Sequence, residues 1–263
     1  MPKSRSDELP VSVYLAQQKA LEHWFQSGLG RALLADQRDH IEDRIGKVFG
    51  VHQAEVGISH RIPVGNSSNL THKFYVLPQQ EEEQPEAAVI ALSHELPLAH
   101  DAVDLMILHH TLDVAIDPHQ TLREVSRVLR SSGHLVIVGF NPYGLWGLRR
   151  LFRRSRLRSP WSCRFIAGSR VEDWLQLLDF KVDTLSYHFY RIPMNSQRTV
   201  HRFSWLDRLL NPSLPLGAYY VIHAQKQVAA RVVSKPGWQR NAKVVAMPLA
   251  NRINTSKLPH DPN

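Results

Sequence analysis

The chain carries a single cysteine, Cys163, among its 263 residues. It has no partner for an internal disulfide and no CxxC neighbour, so disulfide scaffolds and cysteine-held structural zinc are excluded and a reducing compartment is implied. Long apolar runs are missing as well: the longest stay under about ten residues, too short to cross a bilayer as a helix. The stretch from Met1 to Gln18 has basic residues but neither the apolar core nor the small-residue cleavage site of a secretory leader. A cytoplasmic protein without a transmembrane segment is therefore expected. Acidic residues are absent between Trp146 and Arg170, where there are eight arginines, and the basic residues from Lys226 onward face only Asp261. These two segments outweigh the net charge of +8, so the rest of the chain is near neutral and any anionic partner meets the basic attachments.

Hydrophobic residues make up 43% of the chain, ample for one core at this length. The pattern is clearest from Ala102 to Asn141. Val103 to Leu108 and Gly133 to Phe140 are apolar runs of strand length, each reading as buried on both faces. Between them, Asp117 is placed to cap a helix, Pro118 fits its first position, and Leu122, Val125, Val128 and Leu129 recur at helical spacing. Strand, capped helix and strand make a βαβ unit of a parallel sheet. Helices are predicted over Val13 to Phe25, Arg31 to Phe49 and Ser169 to Leu178. Strands are predicted near Gln53 to Ser59, Lys73 to Leu77, Ala88 to Leu92, Lys181 to Tyr190 and Ala218 to Gln225. The chain divides into N-terminal helices over 1–50, an α/β domain over 51–227 with a basic insertion near 143–168, and a tail over 228–263 without sustained periodicity, expected to be disordered.

Leu96-Pro97-Leu98, Asp101, Asp104-Leu105, Leu112, Asp117-Pro118, Arg123-Glu124, Arg127-Val128-Leu129 and Gly133 follow one another in an order that resembles the class I S-adenosylmethionine-dependent methyltransferases of the type 11 group. The likeness continues through Gly139-Phe140-Asn141-Pro142, Leu145 to Arg149 and Ser159 to Ser162, and is similar to a little-characterised bacterial branch of that group. It implies a Rossmann-like α/β fold: a seven-stranded, mostly parallel sheet with helices on both faces and an antiparallel last strand. It also implies S-adenosylmethionine as cofactor and methyl transfer to a small or carrier-borne acceptor. An alternative is a catalytically inactive binding or regulatory module that works through its basic segment.

The resemblance places the cofactor at the ends of the strands. Its acidic residue and glycine loop fall on Glu55, Gly57 and Ser59, with Ser59 standing where a second glycine is usual. The third strand is followed by Leu92 in place of an acid, with Ser93 and His94 the nearest polar groups. Leu108 and His109 lie in the column against the methionine end, and His110 is the candidate acid/base. The ribose acid after the second strand is lacking, and Glu81 to Glu83 read as a solvated loop. Adjacent histidines point apart on a strand or helix, so His109 and His110 make no metal pair and no metal is expected. The N-terminal helices read as sheet cover or as a lid. Asn141-Pro142-Tyr143 is similar to an amine-holding methyltransferase motif, but it follows the fifth strand where that motif follows the fourth, so it reads as a turn. The segment Arg149 to Arg158, interleaved with Leu145, Trp146, Leu148, Leu151, Phe152 and Leu157, is basic and amphipathic and fits an anionic partner. No RNA motif accompanies it, so nucleic acid is not expected.

Overall fold

A computed structural model describes residues 11–151, 159–191 and 214–227. The expected tail and much of the expected basic segment lie outside them. The elements in chain order are α1 (Val11–Phe25), α2 (Gly28–Ile45), β1 (His52–Val56), β2 (His72–Leu77), β3 (Ala88–Ile90) and β4 (Val103–His109). Then follow α3 (Thr111–Val114), α4 (Pro118–Val128), β5 (Leu129–Phe140), α5 (Leu145–Leu151), α6 (Gly168–Gln176), β6 (Phe180–His188) and β7 (Tyr219–Lys226).

One seven-stranded sheet runs β3-β2-β1-β4-β5-β7-β6. Every pairing from β3 across to β5 is parallel, and β7 is antiparallel to both β5 and β6. The two apolar runs read as central strands are direct neighbours, with Met106 opposite Leu135 and Leu108 opposite Ile137. The helix between them starts as expected, the Asp117 carboxylate accepting from Gln120 N at 3.0 Å. Its stripe of Leu122, Val125 and Val128 is fully buried.

Alternation along the strands separates two cores. Leu105, Ile107, Val136 and Val138 face α1 and α2, whereas Met106, Leu108, Leu135 and Ile137 face α4 and α6. The two halves of the sheet are joined differently. Helices cross between β4 and β5 and between β5 and β6, but the links from β1 through β4 (residues 57–71, 78–87 and 91–102) contain no helix.

A buried link without a helix must find partners for its backbone elsewhere, and β1 supplies them. Glu55 accepts from Val64 N at 2.8 Å and Gly65 N at 3.1 Å. Gln53 donates to Gly65 O at 3.0 Å and accepts from the Ser68 hydroxyl. The link adds its own apolar anchors, Ile58, Ile62, Val64 and Leu70. The 91–102 link is tied to α4 in the same way. Arg127 donates to Leu96 O and Leu98 O, each at 2.8 Å, and Glu124 accepts from Leu96 N at 3.1 Å. Glu124 and Arg127, part of the resemblance, thus hold chain to chain.

Candidate active site

The C-terminal ends of β1 and β4 meet at Gly57 and His109. A methyl group built on Gly57 would touch only the His109 Cβ, at 3.7 Å, so the space beside this backbone is not filled by the protein. Thr111 fastens the two ends together by donating its hydroxyl to Val56 O. His110 turns the chain out of the strand with φ 55°, in the left-handed region.

Both histidine side chains are completely buried, and a glutamine from α2 satisfies them. Gln37 Oε1 lies 3.0 Å from His109 Nε2, and Gln37 Nε2 lies 2.8 Å from His110 Nε2. The other nitrogen of His110, Nδ1, is 2.7 Å from Asp113 Oδ2, which also accepts from Phe140 N at 3.0 Å. Desolvation governs the protonation of this chain of groups. Burial pushes His110 down to about 3, and burial together with the neighbouring His110 pushes His109 well below the imidazole range. Burial raises Asp113 well above the carboxylate range. Desolvation thus favours the neutral form of each member of the network. Both ring nitrogens of His110 are engaged, so the ring expected as acid/base has none free to offer an acceptor. His109 Nδ1 is different: it is buried with no hydrogen-bond partner.

Helices α1 and α2 roof this end of the sheet. Gln18 donates to Gly57 O at 3.2 Å, and Phe25 lies 5.6 Å from the rings of both His109 and His110. Glu22 accepts from the Ser59 hydroxyl at 2.8 Å and from Arg61 at 3.3 Å, while Arg61 pairs with Glu81 at 2.9 Å. Glu81, expected to be a solvated loop residue, is thus a partner of the glycine loop.

The remaining expected site residues divide. Glu55 is buried with both oxygens on the 64–65 backbone, and burial raises it to about 7 against the pull of those two N–H groups. Leu108 is core, and half-buried Leu92 packs on the α1/α2 core. Ser93 is buried and bonded to the Thr121 hydroxyl at 3.1 Å. His94 lines a separate recess with Gln120, Glu124 and Arg127. Asn141 is the turn residue expected: its amide donates to Gly217 O and Pro215 O, each at 2.9 Å, and its carbonyl accepts from Tyr143 N at 3.1 Å. Sequence reasoning missed Gln18, Phe25 and Gln37. A signal for Gln37 existed, since it falls on the buried face of its helix with Leu33, Leu34 and Ile41.

Residues 69–137 match the family model described as a methyltransferase domain, type 11. The uncharacterized protein YafS of Escherichia coli (strain K12) is 36% identical over 183 residues, which span 69% of this chain and 70% of that one. The chain belongs to the type 11 methyltransferases of class I. In fold it is similar to a methyltransferase of Thermotoga maritima, described as a possible histamine N-methyltransferase, with a TM-score of 0.61 and 16% identity, over 83% of this chain and 100% of that one. It is also similar to a structure of Haloferax volcanii, a complex between the Trm112 methyltransferase activator and a putative methyltransferase. There the TM-score is 0.55 and the identity 14%, over 85% and 98% of the two chains.

S-adenosylmethionine is the cofactor of this methyltransferase family. The residues at hand fit its amino-acid end. Gly57 leaves backbone open, and with His109 Nε2 donating to Gln37 Oε1 the buried, unpartnered His109 Nδ1 is left as an acceptor, which the ammonium of the amino-acid end suits. On the ribose side the nearest acids are committed, Glu55 to the loop backbone and Glu81 to Arg61.

Proposed function

We propose that the chain methylates a small or carrier-borne acceptor in the cytoplasm. The observation that carries the proposal is Gly57 lying open against His109 beneath the roof of α1 and α2, at the C-terminal ends of parallel strands where open α/β sheets bind ligands. S-adenosylmethionine supplies an already activated sulfonium methyl, so the protein's task is to bind, align and exclude water rather than to provide a covalent group. Gly57 and His109 hold the amino-acid end in this reading, with Ser59 and Leu108 beside them and Leu92 toward adenine, whereas Ser93 and His94 are engaged elsewhere. Glu55 acts through the loop it fastens, and the His110–Gln37–Asp113 chain fixes the turn after β4. Among the described residues no helix is long and apolar enough to cross a membrane.

A charge-assisted hydrogen bond to the ribose contributes about 1.5–3 kcal/mol, and with Glu55 and Glu81 committed to other partners we expect that one to be lost, so binding weakens by roughly ten- to a hundredfold. Isothermal titration should give a dissociation constant on the order of tens to hundreds of micromolar. Gly57→Leu should abolish the signal by filling the open space. A second reading, a binding module without turnover acting through its basic segment, is favoured by the Arg61–Glu81 pair that occupies the expected ribose side. Silence at millimolar cofactor would select it.

A further inference from the structure

One cavity lies where the family's cofactor motifs do not touch it. It has a volume of about 470 Å³ and lies where α4 and α6 begin, beside the turn after β5. That volume falls within the usual range for a small-molecule site. Its walls are of two kinds. Tyr143, Phe165 and Trp174 provide aromatic surface, and Arg164 and Arg170 provide charge.

The arginines are the informative part. Each is exposed, and neither has a carboxylate within ion-pair distance among the described residues, although Asp173 lines the same cavity. Arg127 with Glu124 at 2.8 Å and Arg130 with Asp104 at 3.0 Å are paired, whereas Arg31 and Arg123 are not among the described residues, so what sets Arg164 and Arg170 apart is that they line one concave space. Arg170 stands over the Trp174 ring at 5.4 Å, and the opening of α6 at Ala167 has no side-chain cap. Charge and ring surface therefore share one concave space. The segment bearing Arg164 is fixed rather than loose, since Arg164 N donates to Asp113 O at 2.8 Å. The cavity is also joined to the candidate active site. Its wall residue Phe165 stacks on Phe140 at 5.0 Å, and Phe140 lies against the His110 ring at 4.0 Å.

We infer that this cavity binds a small aromatic anion, its carboxylate or phosphate held by Arg164 and Arg170 and its ring set against Trp174 and Phe165. Guanidinium groups suit both anions because their planar forks match the oxygen spacing. As a statement about the methyl acceptor, the inference rests on the methyl-transfer reading and gives that acceptor a charge and a shape. As a statement about binding, it needs no cofactor.

The test uses the full chain without cofactor, titrated by calorimetry with 4-hydroxybenzoate, phenyl phosphate and the neutral benzyl alcohol. Saturable binding of at least one anion and none of the alcohol is expected, and the preferred anion identifies the charged group. Arg164→Gln and Arg170→Gln should each weaken it about tenfold or more, the usual effect of losing a charge-assisted contact. Arg123→Gln, an exposed change on α4 away from the cavity, should leave it unaltered. Trp174→Phe should keep binding but remove the quenching of tryptophan emission that accompanies it. Equal binding of the alcohol, equal weakening by Arg123→Gln, or no saturable binding of either anion would overturn the inference. Because the cofactor is titrated separately, silence here with a cofactor signal rejects the anion site alone, and the converse rejects the methyl-transfer reading alone.

Discussion

Glu55 shows how one side chain can carry a loop. Replacing it with Ala leaves the N–H groups of Val64 and Gly65 buried without acceptors, at about 1–3 kcal/mol each. Glu55→Ala should thus lower the urea midpoint sharply. The native carboxyl, raised from 4.5 to about 7, keeps a proton that the unfolded chain releases between those values. Its contribution is therefore present at and below about pH 4.5 and lost as pH rises to about 7, amounting to roughly 3 kcal/mol. Urea titrations at pH 5 and 7.5 should show this term as a difference: between the two values Glu55→Gln gains about 2 kcal/mol relative to the native protein. Gln37 is the second such residue. Gln37→Leu strips partners from two buried imidazoles at once and should cost more than about 2 kcal/mol, with the loss read from the same midpoints.

Among the elements, β1 and the link that follows it depart most from an ordinary βαβ unit. Gly65 is required there by space rather than by dihedral angle. A Cβ would come within 2.7 Å of Ile107 Cδ1 and 2.9 Å of Glu55 Oε2, so Gly65→Ala should destabilise the fold by about 1–3 kcal/mol through overpacking. Helix α4 behaves as its sequence suggests. Asp117→Ala removes the cap on Gln120 N and should lower stability by about 1 kcal/mol, seen as a drop in thermal midpoint. The N-terminal helices pack against one face of the sheet, and through Gln18, Glu22, Phe25 and Gln37 they also form the roof over Gly57 and His109.

At the scale of the molecule, buried imidazoles set the response to acid. Burial and the neighbouring His40 and His223 depress His188 to about 3, and burial and Arg44 depress His223 to about 4. The unfolded chain protonates these groups below about 6.5 while the native protein does not. Stability therefore falls as pH drops from 6.5 toward 4, opposite in sign to the Glu55 effect. The His110–Asp113 pair adds little in that window. A neutral imidazole with a protonated carboxyl holds one proton, as do the separated ions of the unfolded chain. The thermal midpoint should rise from pH 4 to 6.5, and His188→Gln should flatten the rise.

The sequence by itself determined what repeats along the chain. Apolar runs of strand length, the Asp117-Pro118 helix start and the periodic stripe of α4 each depend on neighbours within a few residues, so the parallel centre was legible from them, while the antiparallel last strand was implied by the family resemblance. Gly57 and His109 could be nominated as site residues because each falls within a short motif of consecutive positions. What the tertiary structure decided depends on contacts far apart in the chain. That Glu55 turns to its own loop, that Gln37 reaches His109 and His110 across more than seventy residues, and that Arg164 and Arg170 share one cavity with Trp174 are matters of which polar groups find partners once water is excluded. Burial makes an unpartnered group costly, and only the folded chain shows where its partner stands.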